Sequence, residues 1–202
     1  ANKSNKAIKY RLYPNDEQKV MFAKTFGCCR FVYNQLLALQ KQRYKDGESH
    51  LSKLKSNEFA TRTLKKDYDF LKEIDKFAVS NAVFHLADAY DRFFKKQNHF
   101  PKFKSKRKSK KSYTTNFTNN NILIGKNVIK LPKVGMVKAV IHKLPKDDWK
   151  LKSVTVSQDS VGNYFASVLF EYEQEDIPSV SKSSTNAIGL DYKSDGLYMH
   201  SN

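Results

Sequence analysis

Between Lys102 and Lys111, seven of ten residues are cationic and none is acidic; only Phe103, Ser105 and Ser109 interrupt the run. Ammonium groups at this density do one kind of chemistry well. They displace the counterions along a phosphate backbone, with an affinity that falls steeply as salt rises. The whole chain shares the bias: 37 Lys+Arg against 20 Asp+Glu in 202 residues, a formal net charge of +17. Such an imbalance costs self-repulsion in a compact state and points to a polyanionic partner. Arginines are few (Arg11, Arg30, Arg43, Arg62, Arg92 and Arg107). Lysine is a flexible point charge, suited to phosphates and poor at bidentate reading of base edges, so salt-sensitive backbone binding is expected.

Other chemistries are thinly represented. Cys28 and Cys29 are adjacent, a spacing that suits neither a zinc site nor a disulfide framework, and read as small core residues in a reducing compartment. His50, His85, His99, His142 and His200 are scattered without ligand spacing. Asp191 follows Ile188-Gly189-Leu190, and a strand-ending Asp by itself is a turn starter, as Asp195-Gly196 also looks. No apolar run approaches a membrane span and no secretory signal pattern opens the chain.

The elements that must position the cations follow from periodicity. Ile8, Tyr10 and Leu12 alternate with Lys9, Arg11 and Tyr13, which predicts a half-buried strand with a basic outer face. Pro14 ends it, and Asn15 with Gln18 offers a helix cap and its reciprocal partner. A first helix through Phe22 and Phe26 is expected to break at Gly27, and a second to run from Cys28 to Lys45 and stop at Asp46-Gly47. A weaker helical pattern covers Lys55 to Lys66. The clearest helix spans Asp75 to Lys96, with Ala78, Asn81, Ala82, His85, Ala89, Tyr90 and Phe93 on one face. The basic run is expected to be mobile until a phosphate backbone neutralises it. Short strands then recur at Ser112–Thr118, Asn121–Ile124, Val128–Leu131, Met136–His142, Leu151–Ser157 and Tyr164–Glu173. Asp159-Ser160-Val161-Gly162-Asn163 forms a hairpin connection between the last two.

These elements predict an α+β fold: a small antiparallel β-barrel whose first strand precedes a helical insertion. The boundaries are 1–14 for the first strand, 15–98 for the helical lobe, 99–111 for the basic loop and 112–175 for the rest of the barrel. A polar, serine-rich linker at 176–186 leads to a new strand in 187–202.

Three segments resemble the TnpB family of transposon proteins, relatives of single-effector CRISPR nucleases. They are Tyr10-Arg11-Leu12-Tyr13-Pro14-Asn15 with Gly27 and Phe31-Val32-Tyr33-Asn34; Asp75-Lys76-Phe77-Ala78 leading to Ala89-Tyr90 and Phe93-Phe94; and Phe100-Pro101-Lys102-Phe103-Lys104 followed by Phe117-Thr118-Asn119-Asn120-Asn121-Ile122. The resemblance implies a barrel-like wedge domain, a helical recognition lobe and the start of a RuvC-like, RNase H-type nuclease domain. It implies a guide RNA and double-stranded target DNA bearing a short flanking motif, the protein reading the flank while base pairing reads the rest. Carried over by position, flank-reading contacts fall on Lys76, Phe77, Ser80, Thr118 and Asn119; Ser80 is shorter than the Gln of the family pattern. Backbone contacts are expected from Lys9, Arg11, Lys102, Lys104, Lys106, Arg107, Lys108, Lys110 and Lys111.

Ile188-Gly189-Leu190-Asp191 resembles the family's first nuclease motif, which makes Asp191 a catalytic carboxylate and a ligand of Mg2+ in a two-ion site. The remaining acidic ligands and the family's cysteine-based zinc element would lie beyond Asn202. This chain alone is therefore expected to hold no metal and to leave DNA uncut. The implied setting is the prokaryotic cytoplasm, associated with the nucleoid. The competing expectations are a nuclease-less RNA-guided repressor or transposon regulator, and a general RNA-binding protein whose affinity tracks charge alone.

Overall fold

The computed structural model describes residues 2–174. The expected linker, the nuclease strand at 187–202 and Asp191 lie outside the described residues. Strand β1 (Asn2–Tyr13) buries Ile8, Tyr10 and Leu12 and turns Lys9 and Tyr13 outward, as its alternation predicts. Three residues on, the cap of helix α1 (Asp16–Lys45) forms as a reciprocal pair. The Asn15 side chain accepts from Gln18 N–H (2.8 Å), and the Gln18 side chain accepts from Asn15 N–H (3.0 Å).

Helix α1 runs through Gly27 without a break, which corrects the expectation of two helices. Glycine inside a helix costs about 1 kcal/mol relative to alanine. Burying a side chain such as Phe26 returns roughly 1.5–3 kcal/mol. Phe22, Phe26, Cys28, Cys29 and Val32 are buried on both sides of Gly27, so packing decides. The helix ends where the sequence places its end, at Asp46 and left-handed Gly47 (φ 73°).

The weak pattern around Lys55–Lys66 is one winding stretch: α2 (Lys53–Glu58), a π-helical turn (Phe59–Leu64), the single turn α3 (Lys65–Asp67) and a 3₁₀ segment (Asp69–Glu73). Helix α4 (Lys76–Phe94) buries Ala78, Val79, Ala82, Val83, Leu86 and Tyr90. Its inward face is therefore rotated from the expected one. His85 is exposed, and Asn81 sits at the margin, donating to Thr114 O (2.9 Å) and Asn116 Oδ1 (2.8 Å) of the neighbouring strand.

The remaining strands are β2 (Lys111–Asn116), β3 (Leu123–Ile124), β4 (Val128–Leu131), β5 (Gly135–Val140), β6 (Lys150–Gln158) and β7 (Tyr164–Gln174). All pairings are antiparallel and the order is β2-β6-β7-β1-β5-β4-β3. The expected barrel is thus a curled half-barrel, with β2 and β3 as its edges among the described residues. Its first strand does precede the helical insertion, and it lies in the middle of the sheet. The β6–β7 hairpin closes at the predicted turn, with Asp159 N–H donating to Asn163 O (2.9 Å) and Gly162 at φ 96°.

One sheet face, carrying Tyr10, Tyr113, Val154, Val156, Tyr164 and Val168, is buried. The first half of α1 packs on it: the Phe22 ring lies 5.5 Å from Tyr164 and 6.3 Å from Tyr113, and Phe26 lies 5.8 Å from Tyr113. At about 1.5 Å per residue, a 30-residue helix spans roughly 45 Å, more than the sheet can cover. Its second half therefore packs with α4 to build the helical lobe.

Candidate nucleic-acid interface

The basic run leaves the helical lobe and feeds β2, and its three interruptions hold it. Phe103 lies under Lys41 Nζ, 4.6 Å from the ring centroid. Ser105 and Ser109 close a turn: Ser105 N–H donates to Ser109 Oγ (2.9 Å), Ser109 N–H to Ser105 O (3.0 Å), and Lys108 N–H to Ser105 Oγ (3.1 Å). Upstream, the Asn34 side chain of α1 grips Lys104 at both main-chain groups, 2.9 Å to its O and 2.8 Å from its N–H. A run that composition describes as mobile is thus anchored from both the helical lobe and its own turn.

This path brings Lys106, Arg107, Lys108, Lys110 and Lys111 against Lys9 of β1, around a groove of about 730 Å³ floored by Phe165. Lys9 Nζ sits 4.6 Å over that ring. The one acid in the lining, Asp159, is committed to the hairpin turn, where Oδ1 accepts from Val161 N–H (3.1 Å) and Asn163 N–H (2.8 Å). Arg11 is beside the groove, its guanidinium 4.6 Å over Tyr13 and bonded to Asn163 Oδ1 at 2.8 Å. Lys104 goes elsewhere: its Nζ lies 4.2 Å over Tyr33, and burial lowers its pKa. Lys102 is exposed on the lobe side.

A second groove, about 470 Å³, opens at the N-terminus of α4. Lys76 and Phe77 reach it from the helix, and Thr118 and Asn119 from the β2–β3 loop. Ser80, a helical turn beyond Phe77, is half-buried and outside the lining. Phe77 is half-buried and stands apart from the main core, with Lys76 Nζ 5.3 Å from its centroid. Asn119 and Asn120 both hold left-handed backbone (φ 47° and 56°), which Asn tolerates better than most residues. The turn is braced by Asn121, which accepts from Thr118 N–H (2.8 Å) and donates to Asn116 O (2.9 Å). Backbone geometry thus explains the asparagines, and the bracing leaves the exposed Thr118 and Asn119 side chains facing the groove.

Sequence reasoning missed several members of this second groove. Lys65, Lys72 and Lys133 line it from three separate elements, and no local pattern connects them. Asp75 lies beneath it, 4% exposed. Its Oδ1 caps α4 by accepting from Phe77 N–H (3.0 Å), and its Oδ2 is buried without a hydrogen-bond partner. Burial pushes its carboxyl above the ordinary range, against the pull of the Phe77 amide and the nearby Lys133 and Lys76. Burial likewise lowers the Lys65 ammonium, with Lys76 adding to the effect. An Asp directly before an apolar helical run was the available signal, and it marked a cap without marking its depth.

Comparison with known proteins bears on what these grooves serve. Residues 4–49 match the OrfB family model of IS605-type elements, described as a helix-turn-helix domain. A Streptomyces pristinaespiralis protein named as a putative RNA-guided DNA endonuclease is 30% identical over 188 residues, covering 92% of this chain and 45% of that protein. The Escherichia coli K12 protein InsQ, also named a putative RNA-guided DNA endonuclease, is 29% identical over 192 residues, 92% of this chain and 44% of InsQ. The chain belongs to the TnpB-type OrfB family.

It spans about half the length of these two relatives. A third relative, the Salmonella dublin virulence protein VsdF, is 32% identical over 111 residues, 93% of its own length and 50% of this chain. In this member of the TnpB-type family the segment matched as helix-turn-helix is a strand and one continuous helix, β1 and α1. Among the described residues no cluster of His, Cys, Asp or Glu could hold a metal ion, and no helix is long and apolar enough to cross a membrane.

Proposed function

We propose that this chain binds a guide RNA and the flank of a DNA target, as the RNA- and DNA-binding part of a transposon-encoded RNA-guided endonuclease. The observation that carries the reading is the second groove. Lys76, Phe77, Thr118 and Asn119 come from segments some forty residues apart and meet in one concave site edged by further lysines. Lysine donates to base acceptors, and Thr and Asn donate or accept at base edges, while Phe77 offers an apolar contact such as a thymine methyl requires. Ser80 would act at the margin, one turn along α4. The first groove supplies the sequence-independent share of affinity through Lys9 and the cations from Lys106 to Lys111, with Arg11 beside it. Lys102 would serve the same end from the lobe side, and Lys104 would contribute by fixing the path of the run.

Asp191 would supply one carboxylate to a Mg2+ site, and a single carboxylate leaves such a site incomplete. The proposed setting is the prokaryotic cytoplasm, where the target DNA lies.

The test is selection of duplex targets carrying a randomised flank, using the chain loaded with the RNA that co-purifies with it. One enriched flank is expected, and Lys76→Ala or Thr118→Ala should relax it by about 1–3 kcal/mol at one position. Affinity that follows charge alone, with no flank enriched, would sink the reading in favour of a general RNA-binding protein.

A further inference from the structure

The structure holds an aromatic pocket that neither groove uses. It lies between the last turns of α1 and α4, the 47–51 turn and Phe100, and encloses about 540 Å³. That volume falls within the roughly 300–1,000 Å³ of small-ligand sites. Tyr90 is its buried floor. Phe94 stacks on Tyr90 at 5.8 Å and 30°, and Phe100 meets it edge-on at 5.5 Å and 87°. His50 closes one side, 4.5 Å from Tyr90 and 5.4 Å from Phe94. Yet Phe94 is 57% exposed, Phe100 40% and Tyr44, on the rim, 88%. Rings left open to water in a cluster mark a binding surface.

We propose that this pocket captures an unstacked base of single-stranded nucleic acid. The inference rests on the nucleic-acid reading above and adds a site to it. Charge supports this occupant: Lys41 lies 5.5 Å from the Phe100 centroid and 4.6 Å from that of Phe103. Lys45 follows it on α1, Lys95 and Lys96 come directly after Phe94 in the chain, and Lys102 comes two residues after Phe100. None of these five lysines is in an ion pair among the described residues. Open aromatic faces beside unpaired ammonium groups are what a single strand uses, bases on the rings and phosphates on the cations. A duplex keeps its bases inside the stack and cannot enter.

Three of the pocket's polar side chains, Gln40, His50 and Glu48, are already engaged. Gln40 is buried and bonds Leu51 in both directions (3.1 and 3.0 Å), with His50 Nε2 at 3.3 Å. Glu48 pairs with Arg43 at 3.5 Å. The rings dominate the lining and every base has a face to stack on them, so the capture is tolerant of sequence. The 99–111 connector carries Phe100 at one end and Lys106 to Lys111 at the other. A strand with one base in the pocket could therefore lay its following phosphates along the basic groove.

The experiment compares a 15-nucleotide uridine RNA with a 15-base-pair RNA duplex by fluorescence anisotropy. The Tyr44→Ala/Phe94→Leu double variant should lose about five- to thirtyfold affinity for the single strand, with duplex affinity and salt dependence unchanged. The single variant Phe94→Trp, which keeps an aromatic face, should bind the single strand as the parent does. Independently of any variant's folding, 5-iodouridine RNA cross-linked to the wild-type chain should map to Tyr44, Phe94 or Phe100. Unchanged single-strand affinity, an equal loss on duplex, or cross-links confined elsewhere would overturn the proposal. If the wild-type chain binds RNA through Lys108 and Lys110 and the double variant binds equally well, only the pocket assignment falls, and the face becomes a protein-docking surface. If the wild-type chain binds no RNA, the broader reading falls with it.

Discussion

Removing Lys108 and Lys110 together tests the basic groove by its salt dependence. Six cations, Lys9, Lys106, Arg107, Lys108, Lys110 and Lys111, line it. Each phosphate neutralised contributes about −0.9 to the slope of log K against log salt on duplex DNA and about −0.7 on a single strand. Six engaged together give slopes of about −5 and −4. A rise from about 50 to 200 mM salt should then weaken binding roughly 2,000-fold and 300-fold respectively. In Lys108→Ala/Lys110→Ala the slope should become shallower by about 1.8 on duplex and 1.4 on single strand. The assay is an anisotropy titration at four or five salt concentrations, with Lys126→Ala, exposed and distant from the groove lining, as the control. An unchanged slope in the double variant, or an equal change in the control, would refute the assignment of phosphate binding to this groove.

Three further outcomes follow from other residues. Asn34→Leu removes both hydrogen bonds to the Lys104 main chain, each lost partner costing about 1–3 kcal/mol; amide exchange around Lys104 should accelerate while α4 stays protected. Asp75 should give a pH signature. Its folded carboxyl is held above the ordinary range, so its stabilising contribution is complete below that range and is lost as pH rises through the raised value. Asp75→Asn keeps an acceptor for the Phe77 amide and cannot ionise. In denaturant titrations it should exceed the parent near neutral pH and match it below about pH 3, whereas Asp75→Ala should lose about 1 kcal/mol of capping. Burial pushes the Cys29 thiol up to about 12 and raises Cys28 as well, so neither should alkylate in the native chain at mildly alkaline pH; rapid labelling without denaturant would contradict their placement in the core.

The strands, the capping box and the β6–β7 turn were legible because each is written in residues close together. Alternation over Ile8, Tyr10 and Leu12 fixes a face, and Asn15 needs only Gln18 to close its cap. Gly27 misled because a local signal worth about 1 kcal/mol competes with burial that only the folded sheet supplies. The face of α4 was misjudged for a related reason. Asn81 is polar because it bonds β2, a partner more than thirty residues away that periodicity cannot see. Lys76, Phe77, Thr118 and Asn119 were reached through family resemblance, and Lys65, Lys72 and Lys133 beside them by neither route. The interruptions of the basic run show the opposite lesson. Phe103, Ser105 and Ser109 looked like gaps in a charge tract, and they are the residues that give it a shape.

The central position of β1 has a consequence for how this protein is made. Its main partner is β7, and Ser4 bonds Gln174 across 170 residues. At roughly 5–20 residues per second, a ribosome needs about 10–30 seconds to deliver that partner after β1 has emerged. During that interval the helical lobe has its own short-range contacts and can form first, while β1 waits with its longer edge, the one that β7 covers, unpaired. Lys3, Lys6 and Lys9, spaced along β1, then act as guards. Their mutual repulsion keeps nascent chains on neighbouring ribosomes from pairing with each other before β7 arrives.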